Sequence, residues 1–475
     1  MFAFCMALLP LSLPPLLKQC NVTIAMAAKP YKVVSLFSGG MGLDVGLEQT
    51  GRFRVIACVE VEHAFVKTIH ANKEAGRLHR DLQVFERDIR RVAPEEIMAA
   101  TGLRPGEVDL LVGGPPCQSF STAGRRRTIT DTRGTLLWEY LRFIAALRPR
   151  FFLMENVRGL LSAAVKHRPI ALRPENGGPP LSPDEEPGSV IRRFANDLQS
   201  IEGSPYHVDC FLVNAVNYGA PQIRERALFI GNRYGAEVAF PGPTHGPTNG
   251  AAGNGDGSSL LPWMTLGDAI GHLEDRNPVV MDFSPRKKRY LAMVPPGGNW
   301  RSLSEEVQRD SMGRAWCAKG GRSGWWRRLN FDLPCPTLVT MPNHSGTALC
   351  HPVETRALTV KEYAAIQEFP PGWSICGKPS EQYAQIGNAV PVRLGMVAGN
   401  VIAEEMARLR LRHWRPYSSK VDAYRVLYIQ AHVRRRRWFR NGQVLVWDGG
   451  DGNEDVLYSP PKTLRKQGVL FRCGR

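Results

Sequence analysis

The chain reads as an α/β protein built on a doubly wound, mostly parallel sheet that is interrupted by a second, smaller domain. Three observations carry that reading. Short apolar runs at 55–59, 108–112 and 151–154 each stop at glycine or an acid, and the run at 32–37 passes through Ser38 into glycine, as buried strands do. A glycine turn and a helical pattern at 43–47 follow the first of them. The length, 475 residues, exceeds what one core holds, which predicts two domains with appendages.

The first strand runs through Lys32, Val33, Val34, Ser35, Leu36 and Phe37 into Ser38, Gly39, Gly40, Met41 and Gly42. A strand, a glycine turn and a helix make a nucleotide-type pocket. The G-x-G-x-x-G register of a dehydrogenase is absent, which sets that rival aside. The second strand ends in Glu60, placed to accept hydrogen bonds from ribose hydroxyls. Asp88, followed by Ile89, is a further acid of the same kind.

The apolar run 108–112 leads into Gly114, Pro115, Pro116, Cys117 and Gln118. Two prolines hold the backbone extended and remove two N–H donors, so the loop stays out of helix and sheet and projects the next side chain in a fixed direction. A free thiol has a pKa near ~8.5 and needs nearby positive charge to attack; Arg125, Arg126, Arg127 and Arg133 follow closely. The strand 151–154 ends in Glu155, a carboxylate at a strand end beside the nucleophile strand. Downstream, alternation puts Gln222, Arg224 and Arg226 on one face ahead of the strand 227–230. The segment 385–391 reads as a glycine turn entering an apolar helix.

Taken in order, Phe37-Ser38-Gly39 with Gly42, Glu60, Asp88, Pro115-Pro116-Cys117-Gln118, Glu155-Asn156-Val157, Gln222-x-Arg224-x-Arg226 and Gly387-Asn388-Ala389-Val390 resemble the DNA (cytosine-5)-methyltransferase family, bacterial modification type, over roughly 31–403. Met41 departs from a frequent glycine and Glu62 from a more usual aspartate. The resemblance implies an S-adenosylmethionine-dependent, Rossmann-like fold with an inserted target-recognition domain. It implies Cys117 as nucleophile toward cytosine C6 and Glu155 as the acid at the ring N3 side. Arg226 would contact the cytosine O2, and Arg224 would hold the catalytic loop. The cofactor residues implied are Phe37, Gly39, Gly42, Leu43, Glu60, Asp88, Ile89 and Asn388. The segment 118–134 would close over a flipped base, with Gln118, Ser121, Arg125, Arg126, Arg127 and Arg133 on DNA.

The expected organisation is an N-terminal extension at 1–29, a catalytic and cofactor-binding domain at 30–231, a recognition domain at 232–355, a hinge at 356–379, a return to the large domain at 380–405, and a basic tail at 406–475, disordered by default. Translation from Met26 is expected, since the apolar start has three prolines and no basic n-region. Net charge is +17, which suits a polyanion. Residues 284–330 carry a surplus of +8 and 406–475 one of +11, leaving the remainder slightly acidic. In the first block Trp300, Trp316, Trp325 and Trp326 stand among the basic residues, a mixture suited to phosphate contact or wedging, or to a core. Ten cysteines without a C-x-x-C pair argue against a zinc site and a disulfide framework and suit the cytoplasm, on nucleoid DNA. The partners implied are double-stranded DNA and a cognate restriction endonuclease, with no membrane and a monomeric chain. A tRNA cytosine-5 methyltransferase and a non-catalytic DNA-binding accessory protein are the alternatives.

Overall fold

A computed structural model describes residues 29–116, 136–203, 205–247, 260–317 and 322–411, with the strands 424–428, 437–440 and 443–446. Cys117, Gln118, Ser121, Arg125, Arg126, Arg127 and Arg133, like the apolar start, lie outside the described residues.

The first half alternates strands and helices. β1 (Tyr31–Leu36), α1 (Gly42–Gln49), β2 (Phe53–Glu60), α2 (His63–Glu74), β3 (Gln83–Glu86), α3 (Pro94–Thr101), β4 (Leu110–Gly113), α4 (Leu136–Leu147) and β5 (Phe151–Asn156) are followed by α5 (Ser189–Gln199) and β6 (His207–Asn214). Then come the two-residue β7 (Gln222–Ile223) and β8 (Glu225–Asn232). The main sheet has eight strands: the strand Tyr424–Tyr428, β6, β8, β5, β4, β1, β2 and β3, in that order. β8 runs antiparallel to both neighbours; the other pairings are parallel.

Alternation along the strands builds two cores. Val33, Leu110, Val112, Phe151 and Leu153 face one side, under α1 and the C-terminal helices. Val34, Leu36, Leu111, Phe152 and Met154 face the other, under α3, α4 and α5. Both faces are covered, and this is why the strands read as continuous apolar runs.

Between β8 and residue 358 the chain leaves the sheet. The short helices α6 (Leu266–Ile270), α7 (Pro285–Ala292) and α8 (Glu305–Met312) belong to this region. A third core forms here around Phe283, Tyr290, Trp300, Trp326 and Cys350. The chain returns through α9 (Val360–Ile366), α10 (Pro379–Asn388) and α11 (Val392–Leu411). α11 lies tightly on α1: a Cβ on Gly46 would come within 2.1 Å of the Val392 carbonyl oxygen. The stretch Pro379–Leu409 has the length and apolarity to cross a membrane, but it is largely buried here, which accounts for that apolarity by packing.

Three features differ from the sequence reading. Gly387 and Asn388 close α10 rather than forming a turn, because the apolar spacing of Tyr383 and Ile386 continues the helix to that point. α11 continues past 405. Beyond it, Tyr424–Tyr428 pairs with the edge strand β6, with Arg425 bonded to the fully buried Asp209. That segment of the basic tail is therefore part of the sheet, because an open edge offers unpaired backbone groups and Asp209 needs a cation.

Candidate active site

Parallel pairing sets the ends of three strands side by side: Leu36 of β1 lies opposite Gly113 of β4, and Gly113 opposite Met154 of β5. Because β8 is antiparallel, its beginning reaches the same edge, with Asn156 opposite Ala227. Sheet direction thus delivers Arg226 to Glu155. Arg226 Nε lies 2.6 Å from Glu155 Oε1, and both side chains are nearly buried. The next residue, Asn156, donates from Nδ2 to the Pro115 carbonyl at 3.1 Å and accepts from the Val157 N–H. The Pro-Pro loop is therefore tied beside the carboxylate. Gly114 completes the contact, since a Cβ there would sit 3.1 Å from Glu155 Oε2.

The glycine turn makes the neighbouring floor. Glu60 folds back beneath it, accepting from the Gly39 N–H at 2.7 Å and from the Val61 and Glu62 N–H groups at 2.8 and 3.0 Å. Burial raises the Glu60 pKa, and these three donors work against the rise. Asp44, on the first turn of α1, is fully enclosed; burial pushes its carboxyl up to about 7, opposed by a hydrogen bond with Ser35. Phe37 and Met41 both adopt left-handed backbone, with φ of 56° and 68°. At Met41 that conformation costs a side chain ~1–2 kcal/mol, and complete burial of the thioether offsets it by about the same or more. The methionine that departs from the usual glycine is thus accommodated by the core.

The C-terminal return does meet this turn. A Cβ on Gly42 would lie 2.4 Å from the Val390 carbonyl and 3.2 Å from Ala389 Cβ, so the segment after Asn388 packs on the turn directly. Asn388 itself is exposed, and Leu43 and Ile89 are buried. Asp88 caps the turn Ile89–Arg91 and is bound by the Arg90 guanidinium and backbone, which lowers its pKa. The donor set fits S-adenosylmethionine: backbone N–H groups at a helix N-terminus for a carboxylate, and acids at two strand ends for hydroxyl and amino groups.

Arg224 behaves differently from Arg226. It is 1% exposed, and Nη2 donates to the Gly387 carbonyl at 2.7 Å while Nη1 donates to the Leu338 carbonyl at 3.2 Å. Burial first, then the charge of Arg226, holds its pKa well below the usual range, with Glu155 opposing. Gln222 joins the same knot by accepting from the Leu338 N–H and donating to Gln367, whose amide in turn donates to the Ile386 and Ala389 carbonyls. The Cys335–Pro336 strand pairs with β7, and Thr337 donates to the Ile223 carbonyl. Among the described residues, Arg224 therefore ties the segment between β8 and α9 and the C-terminal helices to the sheet.

Sequence reasoning singled out the loop that Gly114 opens but not the contact of Gly114 with Glu155, and it missed Gln367, which carried no signal because its partner is 145 positions away. Trp300 and Trp326 are buried, so their main role is packing. No group of three or more metal-ligating side chains occurs among the described residues.

The family model for C-5 cytosine-specific DNA methylases matches residues 31–404. The chain is 34% identical to the Type II methyltransferase M.Sau96I of Staphylococcus aureus over 78% of this chain and 75% of that one. It is also 34% identical to the Type II methyltransferase M.Eco47II of Escherichia coli, covering 80% and 81%. A solved structure described as a DNA modification methyltransferase encoded within an E. coli prophage superposes with a TM-score of 0.51 at 21% identity, covering 80% of this chain and 99% of that one.

Proposed function

Since the chain belongs to the C-5 cytosine-specific DNA methylase family, we propose that this DNA cytosine-5 methyltransferase modifies one cytosine within a specific double-stranded sequence, through base flipping and Cys117. The observation that carries the reading is the Glu155–Arg226 pair beside the Asn156-tethered Pro115 loop. It sets an acid and a cation beside Pro115, two positions before Cys117 in the chain.

Cytosine C5 is a weak nucleophile. Cys117 Sγ, as thiolate, adds to C6, and the electron pair of the C5–C6 bond moves into the ring toward N3. Glu155 meets N3 with a hydrogen bond or a proton, so the ring does not carry the full negative charge. Arg226 contacts O2 and stabilises the same charge. The cofactor S-adenosylmethionine supplies the electrophilic methyl group. Loss of the C5 proton to a base, with water able to serve, then lets Sγ leave and releases 5-methylcytosine. Phe37, Gly39, Gly42, Leu43, Glu60, Asp88, Ile89 and Asn388 would hold the cofactor. Flipping costs a few kcal/mol, and the loop with Gln118, Ser121, Arg125, Arg126, Arg127 and Arg133 repays it on the DNA backbone. In this reading the enzyme acts as a monomer on nucleoid DNA in the cytoplasm, paired with an endonuclease of the same specificity.

Duplex DNA carrying 5-fluorocytosine tests the chemistry, because fluorine blocks the final elimination. With S-adenosylmethionine the protein should form a complex that survives denaturing electrophoresis, and Cys117→Ser should not. Trapping on fluorinated tRNA alone would replace the DNA reading with the RNA one.

A further inference from the structure

The recognition region holds two arginines whose charge no carboxylate balances among the described residues. Arg301 and Arg322 both place their guanidinium carbons over the Trp300 ring, at 4.6 and 4.8 Å from its centroid. They are therefore no further apart than those two distances combined, inside a Debye length of ~10 Å at 0.1 M salt. Neither has a carboxylate partner among the described residues. Residues 318–321, which precede Arg322, contain no acid.

A third arginine shows what the ordinary arrangement looks like. Arg309 also lies over an indole, Trp316, at 4.7 Å, but it pairs with Glu305 one helical turn away. Arg322 by contrast donates, among the described residues, to the Trp316 carbonyl, a neutral acceptor. The Arg301 guanidinium is held below its usual pKa by partial burial and by the Arg322 charge. Cation–π attraction to Trp300 keeps the two groups together against that repulsion. Trp300 itself is 7% exposed, so the ring is a buried platform and cannot serve as a wedge between bases.

We propose that Arg301 and Arg322, converging on Trp300, form a binding site for a single backbone phosphate of duplex DNA. Guanidinium groups match phosphate geometry, and one anion between two cations removes the repulsion that the free protein carries. The proposal rests on the DNA reading above. It assigns this pair to grip and register rather than to reading bases.

The test is binding of the full chain to fluorescently labelled duplex DNA of mixed sequence across a salt series. Each phosphate neutralised contributes about 0.9 to the slope of log affinity against log salt. Arg301→Gln and Arg322→Gln should each flatten the slope by about that amount, and the double variant by no more than either, because one phosphate is shared. Arg301→Lys should retain most of the slope, and thermal melting of all variants checks that the fold survives. Unchanged slopes in the single variants, or a double variant that loses twice as much, would overturn the shared site. If the wild type still traps fluorocytosine duplexes under those results, the methyltransferase reading stands without this site. Absence of duplex binding by the wild type would overturn both.

Discussion

Arg224 and Arg226 are two residues apart and sit at opposite extremes of charge management. Arg226 meets a carboxylate at the end of β5, so each member of the pair neutralises the other. Arg224 is buried with carbonyl oxygens and the Gln222 amide as its hydrogen-bond partners among the described residues. The first arrangement keeps two charges at a strand edge, where a substrate can exchange partners with them. The second uses a charge as a rivet: charge-assisted bonds to Leu338 and Gly387 join segments 114 and 163 residues away. The break between β7 and β8 at position 224 separates the two uses.

The largest way to break this contrast is Glu155→Gln. If the edge pair is the working acid and cation, kcat should fall by roughly 10² to 10⁴, the usual range for a lost general acid, with cofactor binding unchanged by calorimetry. A variant that retains more than a tenth of wild-type turnover would remove Glu155 from the chemistry and leave the pair as a second rivet.

Arg224→Met attacks the other side. Losing charge-assisted bonds to two buried carbonyls should cost about 2–3 kcal/mol, read as a fall in denaturation midpoint, with cofactor and DNA affinity weakened together because both sides share the junction. A variant of normal stability and normal cofactor affinity that is nonetheless inactive would return Arg224 to the role the resemblance implied, that of holding the catalytic loop.

The contrast also marks what the sequence could tell. Strand ends were legible because a strand buried on both faces leaves a continuous apolar run that stops at glycine, proline or an acid, and Glu60, Pro115 and Glu155 do meet at one edge of the sheet. Direction was not legible: an apolar run reads the same either way, so antiparallel β8 and its delivery of Arg226 emerge only from pairing. The Gln222–Gln367 bond and the Arg425–Asp209 pair were hidden for a related reason. Single polar residues far apart in the chain have no periodicity to announce them. The glycine turn gave its place but not its strain, since nothing local says that Met41 takes a left-handed backbone.

The smallest effect sharpens the comparison most, because it perturbs the edge pair without removing either member. A Cβ added by Gly114→Ala would stand 3.1 Å from Glu155 Oε2, tighter than ordinary contact. The carboxylate cannot swing freely, because Oε1 is held by Arg226 and the loop is held by Asn156. A displacement of a few tenths of an ångström should therefore pass into the acid's position relative to the ring, lowering kcat by up to about tenfold, which is ~1.4 kcal/mol, while the melting midpoint stays close to wild type. Unchanged kcat would mean that the pair yields as a unit and that its geometry tolerates adjustment. A loss as large as that of Glu155→Gln would mean that the methyl group moves the proline loop itself, which precedes the cysteine proposed as nucleophile.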